Sequence, residues 1–341
     1  MSVLQQRARA ARSEHAARPH GLPDARWSPL EIAFWCVPVL VFFVLPDYLV
    51  FGSQVLIAGL FALSLDLVLG YAGIVSLGHA GFFGLGAYTA GLLAAHGWGE
   101  PLSGLAAAAA VAALAGCCVS FLVVRGQDLT RLMVTLGIGL MLYEAANKMA
   151  FLTGGIDGLS GVTMETLLGR FEFDLSGRTA YVYSLAVLFC LFVLLRRLVR
   201  SPFGLSLRGI QQGPARMPAL GADVRMRLVV AFTVSAAVAG VAGGLLAQTT
   251  QFVGLDALGF SRSAELLIML VLGGAGRLYG ALVGAAVFML AQDVLAGINP
   301  VYWQFWIGLL LMVVVLFARG GILGGLEAAL RAWRARRGGA A

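Results

Sequence analysis

Lysine occurs once in 341 residues, at Lys148, and the run before it from Tyr143 to Asn147 holds no glycine. A phosphate-binding loop of the GxxxxGK[ST] type is therefore excluded, so any nucleotide hydrolysis that drives this chain takes place in another one. Histidine is scarce as well. His15 and His20 lie near the start, His96 ends an apolar run, and only His79 sits beside a glycine-rich stretch; no GxSxG or HExxH string accompanies them. The four cysteines, Cys36, Cys117, Cys118 and Cys190, fall inside apolar runs without paired spacing, which argues against a disulfide framework and a zinc site alike. They read as small hydrophobes. Charge is sparse too, at 12%, whereas 60% of the residues are hydrophobic and the mean hydropathy is +0.88. A soluble domain carries roughly 45–50% apolar residues, so water is excluded as the main solvent. A bilayer core of about 30 Å accepts helices of about 20 such residues.

Apolar runs bounded by charge, glycine or proline predict an all-α membrane protein with about ten transmembrane helices. Their approximate bounds are 30–50, 53–69, 78–96, 102–124, 129–150, 179–198, 228–250, 260–274, 278–297 and 302–318. The eighth is short, and only Gly70 to Leu77 separates the second from the third, so broken or re-entrant helices are expected there. Basic residues orient the set. With the N-terminus inside, 20 of the 24 Lys and Arg residues fall on cytoplasmic segments, leaving Lys148, Arg170, Arg178 and Arg262 outside. Both termini are thus expected in the cytoplasm. The net charge of +7 is explained by this orientation and not by nucleic acid. Residues 1–29 read as a cytoplasmic tail, since no short apolar core with a small-residue cleavage site follows their arginines. A permease domain over 30–320 and a basic cytoplasmic tail over 321–341 complete the division.

Glycine is plentiful, 45 residues. Gly240 and Gly244, preceded by Ala236, and the series Gly276, Gly280, Gly284 place small residues four apart, which predicts close helix–helix packing. A faint internal echo links Leu69-Gly70-Tyr71-Ala72-Gly73 to Leu272-Gly273-Gly274-Ala275-Gly276; each follows an apolar run. Among ionisable residues in apolar runs, Glu144 and Lys148 (i, i+4) and Arg262 and Glu265 (i, i+3) are spaced to neutralise each other. Asp66 is placed to cap the glycine-rich break that follows it, and Asp293 to reach the outer interface.

Two loops stand out. The cytoplasmic segment 200–227 predicts a short amphipathic helix with Leu205, Leu207 and Ile210 toward protein and Arg208, Gln211 and Gln212 toward water. Such a basic loop suits either a docking site or a solvated connector. The external loop, 151–178, opens with the turn-forming string Thr153-Gly154-Gly155-Ile156-Asp157-Gly158-Leu159.

Taken together, these stretches resemble the LivM-like permease subunits of branched-chain amino-acid ABC transporters. The resemblance rests on Gly70-Tyr71-Ala72-Gly73 through Ser76-Leu77-Gly78-His79-Ala80-Gly81-Phe82-Phe83-Gly84-Leu85-Gly86-Ala87-Tyr88, the Thr153–Leu159 turn, and Ser201-Pro202-Phe203-Gly204 with Arg208 and Ile210. It continues through Ala219-Leu220-Gly221, Ala231-Phe232, Ser235-Ala236, Ala239-Gly240, Ala242-Gly243, Val271 to Gly276 and Tyr279-Gly280. It implies a bacterial inner-membrane complex of this chain with a second, related permease, two cytoplasmic ATPase subunits and a periplasmic solute-binding protein. ATP and Mg would be bound by the ATPase subunits, with no cofactor in this chain. Gly204, Arg208, Ile210, Ala219, Leu220 and Gly221 would belong to the coupling helix region that meets an ATPase. Gly154, Gly155, Asp157 and Gly158 would face the binding protein. In place of the acidic, alanine-rich helix usual in that loop stand Gly213-Pro214 and Pro218. Pro214 opens a helix and Pro218 interrupts one, so the length of the coupling helix is left open.

The expected activity is alternating access of a small amino-acid-like solute, with Gly70, Gly73, Ser76, Gly78, His79, Gly81 and Gly84 along the pathway wall. An ion-coupled secondary transporter is the main rival, and the scarcity of membrane carboxylates argues against it; a passive channel would need no ATPase. The solute itself, whether branched-chain amino acid, urea, amide or aromatic acid, is not legible, because a binding protein would select it.

Overall fold

In the computed structural model the described residues are 28–126, 128–166, 171, 176–300, 302–317 and 321–325. The expected tails fall almost wholly outside them. Among the described residues the regular structure is helical: α1 (Pro29–Val44), α2 (Leu49–Asp66), α3 (His79–Ala95), α4 (Pro101–Val123), α5 (Asp128–Lys148) and the one-turn α6 (Ala150–Thr153). Then follow α7 (Arg178–Arg200), α8 (Pro202–Gln212), α9 (Val224–Thr250), α10 (Phe260–Gly273), α11 (Leu278–Ile298) and α12 (Trp303–Phe317).

Starts are set by local chemistry. Ser28 and Glu31 form a reciprocal capping box at α1, each side chain accepting from the other's backbone N–H. Proline occupies the first position of α1, α4 and α8, where its missing N–H costs nothing. The Asp223 side chain accepts from Met226 N at 3.1 Å and so caps α9.

Each of the ten expected apolar runs contains a helix, and among the described residues six are long and apolar enough to cross a bilayer: Pro46–Tyr71, Pro101–Val123, Leu129–Lys148, Arg178–Arg200, Val224–Thr250 and Leu278–Ile298. The difference lies in length. α1 has 16 residues with Pro38 inside, and the chain breaks at a 3₁₀ turn over Pro46–Tyr48, earlier than the expected boundary near 50–53. α3 and α10 have 17 and 14 residues, and α12 is described over 15. At 1.5 Å per residue α1, α3 and α10 reach only about 21–26 Å, short of a core of about 30 Å.

α9 is the central helix. Its 27 residues rise about 40 Å, and it packs most extensively against α4 and α3, then α2. The α4–α9 crossing is antiparallel and small-on-small. Gly104 meets Gln248, Ala108 meets Gly244, Ala112 meets Gly240, and Gly116 meets Ala236. A Cβ on Gly240 would stand 2.7 Å from the Ala108 carbonyl oxygen and closer still to the Ala112 methyl, while Gly86 of α3 lies against the Gly240 backbone on another side. This contact uses the Ala236–Gly240–Gly244 stripe together with a complementary series on α4 that the sequence reading did not single out. On α11 only Gly280 and Gly284 share a helix face, packing on α10. Gly276 does not join them, because it lies in the turn before α11 at φ 81°.

The crossing predicts an asymmetry between glycines. Gly240→Leu should destabilise the detergent-solubilised protein by about 1–3 kcal/mol through overpacking, seen as a lower thermal midpoint. Gly137→Ala on α5, where an added Cβ meets nothing within 4 Å, should be neutral or stabilising by up to about 1 kcal/mol.

Candidate functional site

The two glycine strings of the sequence echo are packed against each other. The first leaves α2 through a π turn over Leu67–Tyr71, after which the chain stays non-helical to Gly78; the second joins α10 to α11. Corresponding positions share their backbone form: Gly73 at φ 73° and Gly276 at φ 81° are both left-handed, a conformation that costs glycine nothing. Gly70 is pressed on the Gly276 backbone, and an added Cβ would come within 2.7 Å of Gly276 Cα.

Asp66 joins the two. Its carboxylate, wholly buried at the end of α2, accepts from Gly276 N–H at 2.7 Å through Oδ1, while Oδ2 has no hydrogen-bond partner. The expected local cap is thus corrected. A helical carboxylate at this position reaches back across the crossing and satisfies a donor in the second break, 210 residues away in sequence. The other donors of the first break are met piecemeal: Ile74 N–H by Val68 O at 3.0 Å, Leu77 N–H by Thr135 Oγ1 at 3.2 Å, and Ala80 N–H, at the start of α3, by Ser263 Oγ at 2.9 Å.

The amphipathic α8 touches this joint twice. The Arg208 guanidinium carbon stands 4.9 Å from the Tyr71 ring centroid, a cation–π arrangement, and Gly73 is so close to Gln211 that a Cβ would meet its Cγ at 3.0 Å. Of the residues expected to couple to an ATPase, Gly204 and Ile210 face inward, with Gly204 closing tightly on the Val199 carbonyl. Arg208, Ala219, Leu220 and Gly221 are exposed, Leu220 at 77%. Leu205, expected against protein, is exposed at 46%, so the inward face is Leu207 and Ile210. α8 ends at Gln212 before Gly213, and Pro218 opens a separate 3₁₀ turn, Pro218–Leu220. The helix therefore has 11 residues.

The expected pathway residues divide. Gly73 is exposed and the others are buried among α2, α3, α5, α9 and the Leu255–Leu258 turn. Gly78 lies on Thr135 and Gly139, Gly81 on Leu142, and Gly84 on Leu258. The His79 ring is fully buried, stacked on Phe61 with centroids 5.9 Å apart; its Nε2 lies 3.0 Å from Ser64 Oγ and 3.3 Å from Ser235 Oγ. Its Nδ1 and the hydroxyl of Ser76 have no hydrogen-bond partner.

In the turn expected outside, Thr153 is the organising residue. Its hydroxyl donates to Ala146 O at 2.6 Å and accepts from Gly155 N–H at 3.2 Å. Gly154, Gly155 and Gly158 all have positive φ, and Leu159 pairs with Val253 through a two-bond antiparallel bridge. Ile156 is thereby held outward, 86% exposed, beside the exposed Asp157. Of the two expected ion pairs, Arg262–Glu265 forms at 3.5 Å and Arg262 also reaches Asp256 at 3.2 Å. Glu144 and Lys148, both exposed, do not pair. Asp293 is exposed, all four cysteines are free, and no group of three metal-ligating side chains occurs among the described residues.

Six bilayer-length helices among the described residues define a multi-pass integral membrane protein. Residues 49–316 match the family described as branched-chain amino acid transport system / permease component, and the chain belongs to that family. It is 29% identical over 335 residues to the high-affinity branched-chain amino acid transport system permease protein LivM of Escherichia coli K12, covering 89% of this chain and 77% of that one. The LivM protein of Salmonella typhimurium LT2 is 28% identical over the same shares. A probable branched-chain amino acid transport permease protein LivH of Methanocaldococcus jannaschii is 26% identical over 177 residues, 51% of this chain and 55% of its own. No solved structure matches the chain.

The joint makes a specific prediction about Asp66. Asp66→Asn keeps an acceptor for Gly276 N–H and should retain most of the stability. Asp66→Ala leaves that half-buried donor unpaired, at about 1 kcal/mol, and should lower the thermal midpoint measurably below that of the Asn variant.

Proposed function

We propose that this chain is the permease subunit of an ATP-driven importer of the bacterial inner membrane. In this reading it carries branched-chain amino acids or similar small polar solutes by alternating access. Membership of the permease family is the observation that carries the proposal. The sequence supports the division of labour, since it has no phosphate-binding loop of its own. In this reading two ATPase subunits bind ATP and Mg, a related permease completes the membrane pair, and a periplasmic binding protein delivers the solute to the Gly154–Gly158 turn.

The same reading has ten crossings with both termini inside. The shorter α1, α3, α10 and α12 would complete their passage with the segments that adjoin them, irregular backbone being tolerated where protein or a cavity surrounds it. The distribution of arginine supports this orientation. Force from an ATPase enters through the exposed Arg208, Ala219, Leu220 and Gly221. It reaches the first glycine joint through the Arg208–Tyr71 and Gln211–Gly73 contacts, then the second through Asp66. The helices flanking the joints rock about them, and the stretch from Gly70 to Gly84 supplies one wall of the path.

Two measurements test this. Affinity purification of the tagged chain should recover two ATPases and a second permease, and Leu220→Asp should reduce ATPase recovery. In vesicles containing the whole complex, Arg208→Ala should lower ATP-driven uptake about two- to fivefold, the scale of an exposed cation–π contact of ~0.5–1 kcal/mol, without loss of assembly. Uphill accumulation by this chain alone, without nucleotide, would overturn the proposal.

A further inference from the structure

A groove of about 710 Å³ runs between α4 and α7, floored by Val241 of α9. Its walls include Leu105, Ala106 and Ala109 of α4 and Ala186, Val187 and Leu191 of α7. The small residues make it concave, since two helices that present alanines to each other leave space that leucines would fill. Polar atoms are turned away from it. Tyr183 lines the groove with its ring, but its hydroxyl donates to the buried Gln248 at 2.9 Å, and Gln248 in turn donates to Pro101 O at 2.8 Å.

One end differs. Arg178 and Thr179 line the mouth at the start of α7, the end that the arginine distribution places outside. Arg178 is exposed, and no carboxylate among the described residues pairs with it. Its positive charge stands beside the uncapped first turn of α7, where helix N–H groups also favour an anion.

Length and charge argue for the occupant. From Arg178 to Leu191 the helix rises about 20 Å, enough to traverse the ~15 Å that one leaflet contributes to the core. The lining along that rise is apolar, which suits a hydrocarbon chain, and the charge at the mouth complements a phosphate.

We propose that this groove binds an anionic phospholipid of the outer leaflet, with an acyl chain along α4 and α7 and its phosphate on Arg178. The site rests on the membrane orientation of that reading, with the start of α7 outside, and stands or falls separately from the transport mechanism. Two substitutions divide its parts. Arg178→Gln removes the charge from an exposed side chain and leaves the groove intact, and Ala186→Phe fills the groove and leaves the charge.

The test is lipid analysis by mass spectrometry of the full chain, extracted with its native partners into bilayer discs of mixed anionic and zwitterionic phospholipid and then stripped with mild detergent. The wild-type protein should retain anionic phospholipid, enriched several-fold over the bulk mixture. Arg178→Gln should abolish the enrichment, Arg178→Lys should keep it, and Ala186→Phe should release the lipid of either charge. A phospholipid with a photoreactive acyl chain should label the α7 peptide containing Cys190, which lines the groove. Retention at the bulk ratio, or enrichment unchanged in Arg178→Gln, would overturn the proposal. So would efficient cross-linking of Cys190 to another polypeptide in the assembled complex, since that outcome makes the groove a protein interface.

Discussion

The structure depends on one constraint: inside a bilayer no water is available for a backbone N–H or C=O that has left its helix. This chain leaves its helices twice within apolar sequence, at Gly70–Gly78 and at Gly273–Arg277, and each departure frees donors that must be met by protein. The solution is mutual. The second break is placed on the first, Gly70 lets the backbones touch, and the Asp66 carboxylate takes the Gly276 N–H that would otherwise be orphaned. Side-chain hydroxyls from α5 and α10, Thr135 and Ser263, meet donors around the start of α3. A single buried carboxylate thus ties α2 to the break between α10 and α11, because moving them apart would leave that carboxylate without its donor.

The small-residue crossing of α4 and α9 follows from the same solvent. Lipid tails are as apolar as leucine, so burying apolar side chains gives two helices little reason to associate. Close backbone approach and the dispersion contacts it brings must supply the attraction. Both helices contribute a residue of small volume at each of the Ala108–Gly244, Ala112–Gly240 and Gly116–Ala236 levels, which is what brings the backbones together. The block of α3, α4 and α9 built this way also holds α2, and the α10–α11 pair packs on α2.

Much of this was legible in the sequence, and the parts that were not have identifiable causes. Apolar runs located a helix in every expected span because composition alone decides whether a segment prefers lipid. They do not separate bilayer-length helices from shorter ones, because hydropathy does not register where a helix ends. Pro46 and the turns flanking α3 and α10 shorten helices without lowering the apolar content of the run. Glycine spacing identified the α9 stripe. The same rule misassigned Gly276, since four-residue spacing is meaningful only if the residues are helical, and positive φ cannot be read from spacing. The complementary stripe on α4 was hidden in an alanine-rich run where many registers look alike. The partner of Asp66 was beyond reach for a different reason: local capping is a rule about neighbours, and its actual donor is fixed only by the tertiary crossing.

The placement of α8 gives the two joints their significance. A cytoplasmic amphipathic helix resting on a continuous transmembrane helix would push against a rod, and its displacement would be resisted along the whole length of that rod. α8 rests instead on Tyr71 and Gly73, residues of a segment that has already left helical geometry. The torsions there are not locked into an i to i−4 ladder, and glycine lowers the steric barriers to changing them. Because Gly70 and Asp66 tie this segment to Gly276, rotation at the first joint cannot occur without either carrying the second or breaking the carboxylate–amide bond. Breaking it would strand the buried carboxylate, so concerted movement is the cheaper course. The order of contacts, from Arg208 to Tyr71 and from Asp66 to Gly276, therefore favours transmission over local yielding.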